Sequence, residues 1–180
     1  MHDFFEIATV LFACILVHIF FNSWFGIRNY KRSTIAIIFL LYIVLHSIIA
    51  IFDISPILRV VISYCLILCL CGSLYRTGLY TAIFSALLFV ALAVLSEYLP
   101  YVFLSLLGIS SESLMGAGND RAVLLALAKT THFIVVLFAA SILRKNTSRL
   151  TLRQVLPLMP SLLVSIFICL VFYKIAPTLD

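Results

Sequence analysis

Long apolar runs separated by short polar segments make up most of this chain. The runs show no alternation of polar and apolar positions, so they indicate helices that are apolar on all sides rather than half-buried strands. Each run is about 19–22 residues long, and at a rise of about 1.5 Å per residue such a helix crosses a hydrocarbon core of about 30 Å. The pattern predicts six spans, at residues 7–27, 33–52, 57–75, 79–99, 122–143 and 154–173.

The fourth predicted span is followed by the longest polar stretch of the chain. Pro100 comes directly after this span, and proline kinks or ends a helix because it lacks a backbone N–H. We therefore expect the span to end or bend at Pro100, with Tyr101–Leu107 as an interfacial piece. Residues 108–121, which are rich in glycine, serine and acidic side chains, are predicted to form a loop.

Composition supports a membrane protein. Of the 180 residues, 64% are hydrophobic and 11% are charged, and the mean hydropathy is +1.24. A soluble domain has about 25% charged and about 45–50% apolar residues. A transmembrane β-barrel is excluded because its strands alternate in polarity. The predicted fold class is an all-α, polytopic transmembrane helical bundle with six spans, and residues 1–180 form one domain.

Charged residues in the loops predict the orientation of the bundle. Cytoplasmic loops of membrane proteins carry an excess of Lys and Arg. If the N-terminus is outside, eight cations fall in the inner loops, namely Arg28, Lys31, Arg32, Arg76, Arg144, Lys145, Arg149 and Arg153. The outer side then holds three, namely Arg59, Arg121 and Lys174. The sequence therefore predicts that the N-terminus lies outside the membrane.

The same distribution argues against several other partners. The net charge of +5 lies in loops between apolar runs, without a basic and aromatic face for nucleic acid. The five cysteines lie inside apolar runs, where we expect core packing rather than a disulfide framework or a metal site. No cofactor is predicted. The lipid bilayer is the expected partner, and the sequence leaves open an extracellular peptide or small molecule and a second copy of the chain in a homodimer.

Ionisable residues inside the predicted spans are the candidate functional residues, because they are costly in a membrane. Five of them fall in the half of the bundle nearer the predicted outside, namely His46, Arg59, Glu97, Lys129 and His132. Lys129 is seven residues into the fifth predicted span, and His132 follows on the same face. We predict a water-filled pocket for a ligand there, with Glu97 and Lys129 as an ion pair.

Structural explanations compete with this site. Lys129 and Arg59 can snorkel to the interface, and Glu97 can lie at the interface. His46, His132 and the mid-span His18 can be neutral hydrogen-bond partners between helices. Motifs for zinc hydrolysis, serine hydrolysis and nucleotide binding are absent from the sequence, so this chain is not expected to be an enzyme.

One stretch resembles a known family. The turn Leu74-Tyr75-Arg76-Thr77-Gly78, followed by an apolar span closing with Ser96-Glu97, resembles the membrane sensor region of GHKL-type, AgrC-like histidine kinases of Gram-positive bacteria. The resemblance continues through Leu107–Ser110 and Leu156–Ser161, although Thr77-Gly78 departs from the usual order of that turn.

The resemblance implies a sensor for quorum sensing in a two-component system. It implies a receptor that binds an extracellular signal, in this family a peptide, and relays it to a cytoplasmic kinase domain not present in residues 1–180. The alternative is the six-helix substrate-binding subunit of a vitamin importer, which the helix number and an outward polar pocket also fit. A small structural or regulatory membrane subunit without a ligand is a third interpretation.

Overall fold

The computed structural model describes residues 2–51, 55–110, 113–114, 119–143, 162–167 and 171. These residues are helical apart from their connections, and they contain no β-strand. The long helices are α1 (His2–Trp24), α2 (Arg32–Ile51), α3 (Pro56–Leu74), α4 (Leu79–Leu106) and α5 (Asn119–Leu143). The all-α prediction is confirmed for this part of the chain.

Four of these helices are long and apolar enough to cross a membrane. They are α2, α3, α4 and α5, and α1 contributes a shorter apolar stretch, Ala8–Trp24. The first three predicted spans match α1, α2 and α3 to within a few residues at most ends. Of the sixth predicted span, residues 162–167 and 171 are helical and the others lie outside the described residues.

The five helices form a closed ring. Each helix packs on the next in the sequence, and α5 returns to pack on α1, with a smaller contact between α1 and α4 across the ring. Aromatic residues fill the centre, where Phe20 and Phe21 of α1 meet Phe89 of α4 at ring-centroid distances of 5.4 and 6.1 Å. Ile166 from the helical segment 162–167 joins the same core. Consecutive helices are antiparallel neighbours because their connections are short.

Helix α4 is longer than its predicted span. It continues through Pro100 to Leu106, so Pro100 does not end it and Tyr101–Leu106 belongs to the same helix. The helix ends in a Schellman motif, in which Gly108 has a φ of +85° and donates to Ser105 O, while Ile109 donates to Leu104 O. Glycine adopts that left-handed backbone without strain.

Two connections pair at one end of the bundle. The α1–α2 connection (residues 25–31) and the α3–α4 connection (residues 75–78) meet in an antiparallel bridge between Ile27 and Tyr75. Arg28 N donates to Leu74 O and Arg76 N donates to Gly26 O, both at 2.9 Å. We call residues 25–31 and 75–78 the loop pair. Both connections were predicted on one side of the membrane, and they lie at one end of the bundle.

The loop pair is anchored in the core. Tyr75 has no exposed surface, and its hydroxyl is 3.0 Å from Nδ1 of His18. This contact confirms that His18 is a hydrogen-bond partner between elements. The Nε of Arg28 donates to Tyr75 O at 3.0 Å, and Arg76 donates to the side-chain oxygen of Asn29.

The loop pair predicts a specific cross-link. After the five native cysteines are replaced, Asn29→Cys with Arg76→Cys is expected to cross-link with a short bismaleimide, because these side chains are in contact. The control pair joins Asn29→Cys to Asn119→Cys, which begins α5 at the opposite end. Intramolecular cross-linking, followed as a shift in gel mobility, should occur in the first pair alone. Equal cross-linking of both pairs contradicts the arrangement.

The cysteines divide between the core and the outer surface. Cys14 and Cys71 are buried, as predicted, whereas Cys65 and Cys69 are exposed. The core-packing prediction is therefore wrong for Cys65 and Cys69. Helix α3 packs mainly on α2 and α4, so one of its faces points away from the other helices. Cys65 and Cys69 are one helical turn apart and both lie on that outer face. Cys169 lies outside the described residues.

Candidate functional site

Glu97 and Lys129 form the predicted ion pair. The Nζ of Lys129 donates to Oε1 of Glu97 at 3.1 Å and so joins α4 to α5, the two helices with the most extensive mutual contact. The Lys129 side chain is 23% exposed and that of Glu97 is 61% exposed. The pair is therefore reachable from outside the bundle, while the lysine is largely covered.

Both partners lie well inside their helices. Glu97 is nine residues before the end of α4 at Leu106, and Lys129 is ten residues after the start of α5 at Asn119. At about 1.5 Å per residue, both positions are roughly 14–15 Å from the same end of the bundle. The pair is thus deeper than the sequence predicted, because α4 extends past Pro100 and α5 begins before residue 122.

The two candidate histidines lie near this pair. His132 is 4% exposed, and its ring centroid is 5.4 Å from that of Phe89. His46 stacks on Tyr42 one helical turn away, with centroids 5.6 Å apart. Nε2 of His132 and Nδ1 of His46 are buried, and neither has a hydrogen-bond partner among the described residues. Each nitrogen is therefore a buried hydrogen-bonding group without a partner in the described part of the chain, which is energetically costly.

Each of the two histidines lies close to charged members of the predicted set. His46 lies within range of the charges of Lys129, Arg59 and Glu97, and His132 lies within range of those of Lys129 and Glu97. Arg59 is in the first turn of α3, at the same end of the bundle. The structure thus brings together the residues that the sequence singled out. We call His46, Arg59, Glu97, Lys129 and His132 the polar cluster.

The two helices that carry the ion pair also form a shallow groove. It lies between α4 and α5, is open on one side, and has a volume of about 210 Å³. Its lining residues are Leu99, Pro100, Phe103, Leu127 and Thr131. Leu127 and Thr131 are two residues before and two residues after Lys129, so they share one face of α5 and Lys129 lies on another. The groove and the ion pair are thus formed by the same two helices, on different faces of α5.

The described part of the connection between α4 and α5 packs on this end of the bundle. Leu114 is 1% exposed and packs with Tyr101 and Leu104 of α4. The hydroxyl of Ser113 donates to the carboxylate of Asp120 in the first turn of α5. The predicted polar loop thus has an apolar anchor, and Asn119–Arg121 belong to α5 instead. Glu112 lies outside the described residues.

Sequence reasoning missed the groove and the aromatic partners of the histidines. The i, i+4 spacing of Tyr42 and His46 was a readable signal, because such residues share a helix face. The contact of Phe89 with His132 had no local signal, since it depends on how α4 and α5 pack. The groove depends on the same packing and on the continuation of α4 through Pro100.

The unpartnered nitrogen of His132 gives a testable consequence. Replacing His132 with Leu is expected to raise the free energy of unfolding by about 1–2 kcal/mol, because a buried polar atom without a partner is costly. His18→Leu is the matched control, and it should lower that free energy by about 1–3 kcal/mol because the buried Tyr75 hydroxyl loses its partner. Both values are measured by unfolding in mixed detergent micelles. Destabilisation by His132→Leu contradicts the assignment.

Comparison with known proteins adds no relative. No protein-family model, no curated protein and no solved structure matches this chain. The resemblance of the Leu74–Gly78 turn to the sensor kinases therefore stays a prediction. The polar cluster and the groove are the features of the structure that bear on function.

Proposed function

We propose that the protein is the membrane-embedded sensor domain of a two-component histidine kinase and binds an extracellular peptide signal. The observation that carries this proposal is the Glu97–Lys129 ion pair between two helices long and apolar enough to cross a membrane, which also form an open groove. Intramembrane charges of this kind are functional candidates by default. The resemblance at Leu74–Gly78 supports the link to a kinase.

The proposed topology has six spans, with the N-terminus and the polar cluster facing outward in a bacterial plasma membrane. The excess of cations in the loop pair supports placing that end in the cytoplasm. Because α4 begins at the loop pair and ends at the opposite end of the bundle, the polar cluster then faces the outside. A signal outside the cell reaches the groove without crossing the bilayer.

The size of the groove favours a peptide over a vitamin. Pockets that enclose a drug-sized ligand have volumes of about 300–1,000 Å³. The groove of about 210 Å³ is smaller and open, so it fits one or two side chains of a ligand that otherwise lies outside. An apolar side chain of the peptide occupies the groove, and a polar group of the peptide meets Glu97, whose side chain is 61% exposed.

Helix α4 connects the two ends of the bundle. It carries Glu97 nine residues before its C-terminal end at Leu106, and its first residue follows directly on the loop pair at the other end. A ligand that binds one arrangement of α4 and α5 more tightly than another shifts the population toward that arrangement. The loop pair then moves with α4, and this movement is the proposed signal to the kinase.

The test is the size of the native protein in its own membranes, detected with an antibody against the N-terminal residues. A band much larger than 20.2 kDa is expected, because the kinase domain would be on the same polypeptide. Addition of the secreted peptide fraction should then change autophosphorylation of that band. A band at 20.2 kDa contradicts the kinase proposal and favours the importer-subunit interpretation.

A further inference from the structure

The loop pair concentrates positive charge. It brings Arg28 and Lys31 from one connection next to Arg76 from the other, and Arg32 begins α2 immediately afterwards. Neither connection contains an acidic residue. Lys31, Arg32 and Arg76 are exposed, and Arg28 is half-buried. This end therefore presents four cations without a neighbouring carboxylate from either connection.

Hydrogen bonds hold two of these cations, Arg28 and Arg76, in position. The backbone bonds of Arg28 to Leu74 and of Arg76 to Gly26 align the two connections. Arg28 uses its Nε on Tyr75 O, and Arg76 uses one nitrogen on Asn29. A guanidinium has five N–H donors, so each arginine retains donors for an anion. Planar guanidinium groups suit the oxygens of a phosphate.

The position of the loop pair indicates which kind of molecule supplies that phosphate. The apolar spans of α2 and α4 begin at Arg32 and Leu79, directly beside these cations. Tyr30 and Tyr80 are 42% and 53% exposed at the same level, and tyrosines of this kind mark the membrane–water interface. Phospholipid headgroups lie at this depth, which places their phosphates next to the four cations.

We propose that the loop pair binds the phosphate of anionic phospholipid headgroups. Clusters of cations next to a membrane span attract anionic lipids, and here two separate connections supply them through one paired structure. The site is independent of the polar cluster at the other end of the bundle. Lipid bound there bridges Arg28, Lys31 and Arg76 and stabilises the pairing of the two connections.

The experiment measures lipid binding to the whole chain in nanodiscs, which expose both ends to lipid. The probe is a spin-labelled phosphatidylglycerol in a phosphatidylcholine background, with spin-labelled phosphatidylcholine as the zwitterionic reference. We expect a preference for phosphatidylglycerol that falls about fivefold for Lys31→Gln or Arg76→Gln, and about 25-fold for the two together at low salt. Arg76→Lys, which keeps the charge, should retain most of the preference.

Arg121→Gln is the matched control, because it removes one cation at the opposite end of the bundle. It is expected to leave the preference unchanged. An equal decrease in Arg121→Gln and Arg76→Gln overturns the proposal, since net charge alone then accounts for binding. No decrease in the double variant also overturns it. If Arg76→Gln fails to fold, Lys31→Gln with Arg32→Gln replaces it, because both of these side chains are exposed.

A competition arm separates lipid from soluble phosphate. Inorganic phosphate and glycerol phosphate are added at constant ionic strength, so that screening does not change. The lipid preference is expected to persist, because soluble phosphate lacks the acyl chains that keep the headgroup at this depth. Displacement of the labelled lipid by either soluble compound overturns the assignment to a lipid headgroup.

Discussion

Replacing Phe89 with Ala is expected to lower the free energy of unfolding by about 3–5 kcal/mol, the range for Phe-to-Ala changes in well-packed cores. Phe89 is 2% exposed and its ring meets Phe20 and Phe21 of α1 as well as His132 of α5. The change therefore removes contacts among three helices. In a bilayer the loss is one of close packing, since lipid is as apolar as the core.

Phe138→Ala is the matched control for this prediction. Phe138 is on α5 and is 67% exposed, so its removal leaves no cavity in the ring. We expect a change within about 0.5 kcal/mol, as for other exposed positions. Unfolding in mixed detergent micelles, followed by circular dichroism, measures both variants. Equal effects of the two substitutions contradict the position of Phe89 at the centre of the bundle.

The second large effect is expected at the ion pair. Glu97→Leu or Lys129→Leu alone should destabilise the protein and impair signalling more than the two substitutions together. A single substitution leaves a charge without its partner in apolar surroundings, whereas the double variant removes both charges. Because neither side chain is fully buried, the expected coupling is about 0.5–3 kcal/mol rather than the larger cost of a buried pair.

A charge reversal sharpens this test. Glu97→Lys combined with Lys129→Glu keeps both charges and exchanges their positions, so it should recover most of the stability lost in either single variant. The unfolding free energies of the wild type, Glu97→Leu, Lys129→Leu and the double Leu variant form a double-mutant cycle that isolates the interaction between the two side chains. Equal losses in both single variants and the double variant are incompatible with the pair.

Hydrophobic runs predicted the helices well because the period and length of an apolar run depend on local sequence. The C-terminal end of α4 was the helix boundary that was predicted least accurately. Pro100 suggested an end, but the helix tolerates the loss of one backbone bond at this proline and continues until Gly108 supplies the left-handed turn. The sequence offers both Pro100 and Gly108 as signals that end a helix. The packing of Tyr101 and Leu104 favours continuation of the helix past Pro100, so α4 ends before Gly108.

The site was predictable in its residues and not in its shape. Charge inside apolar runs pointed to Glu97, Lys129 and His132 because burying such groups is costly. Their depth in the bundle depends on where α4 ends and where α5 begins, and the predicted positions of both boundaries were several residues from the observed ones. The groove and the loop pair each need two helices or two connections to be neighbours, and no local pattern encodes that. In the sequence, Tyr75 was singled out only by the family resemblance. Its hydrogen bond to His18 depends on tertiary packing, so no local pattern predicts it.

Fluorescence of Trp24, the one tryptophan of the chain, tests most directly whether the polar cluster senses a signal. Trp24 ends α1 next to the loop pair and lies 4.9 Å from Phe25 and 6.0 Å from Phe20, between ring centroids. Purified protein in nanodiscs is titrated with the peptide fraction secreted by the source cells, and the same titration of Trp24→Phe supplies the background. The account predicts a saturable change in wild type that is lost in Glu97→Gln and in Lys129→Gln. A change that persists unaltered in both variants would place the signal elsewhere and contradict the account.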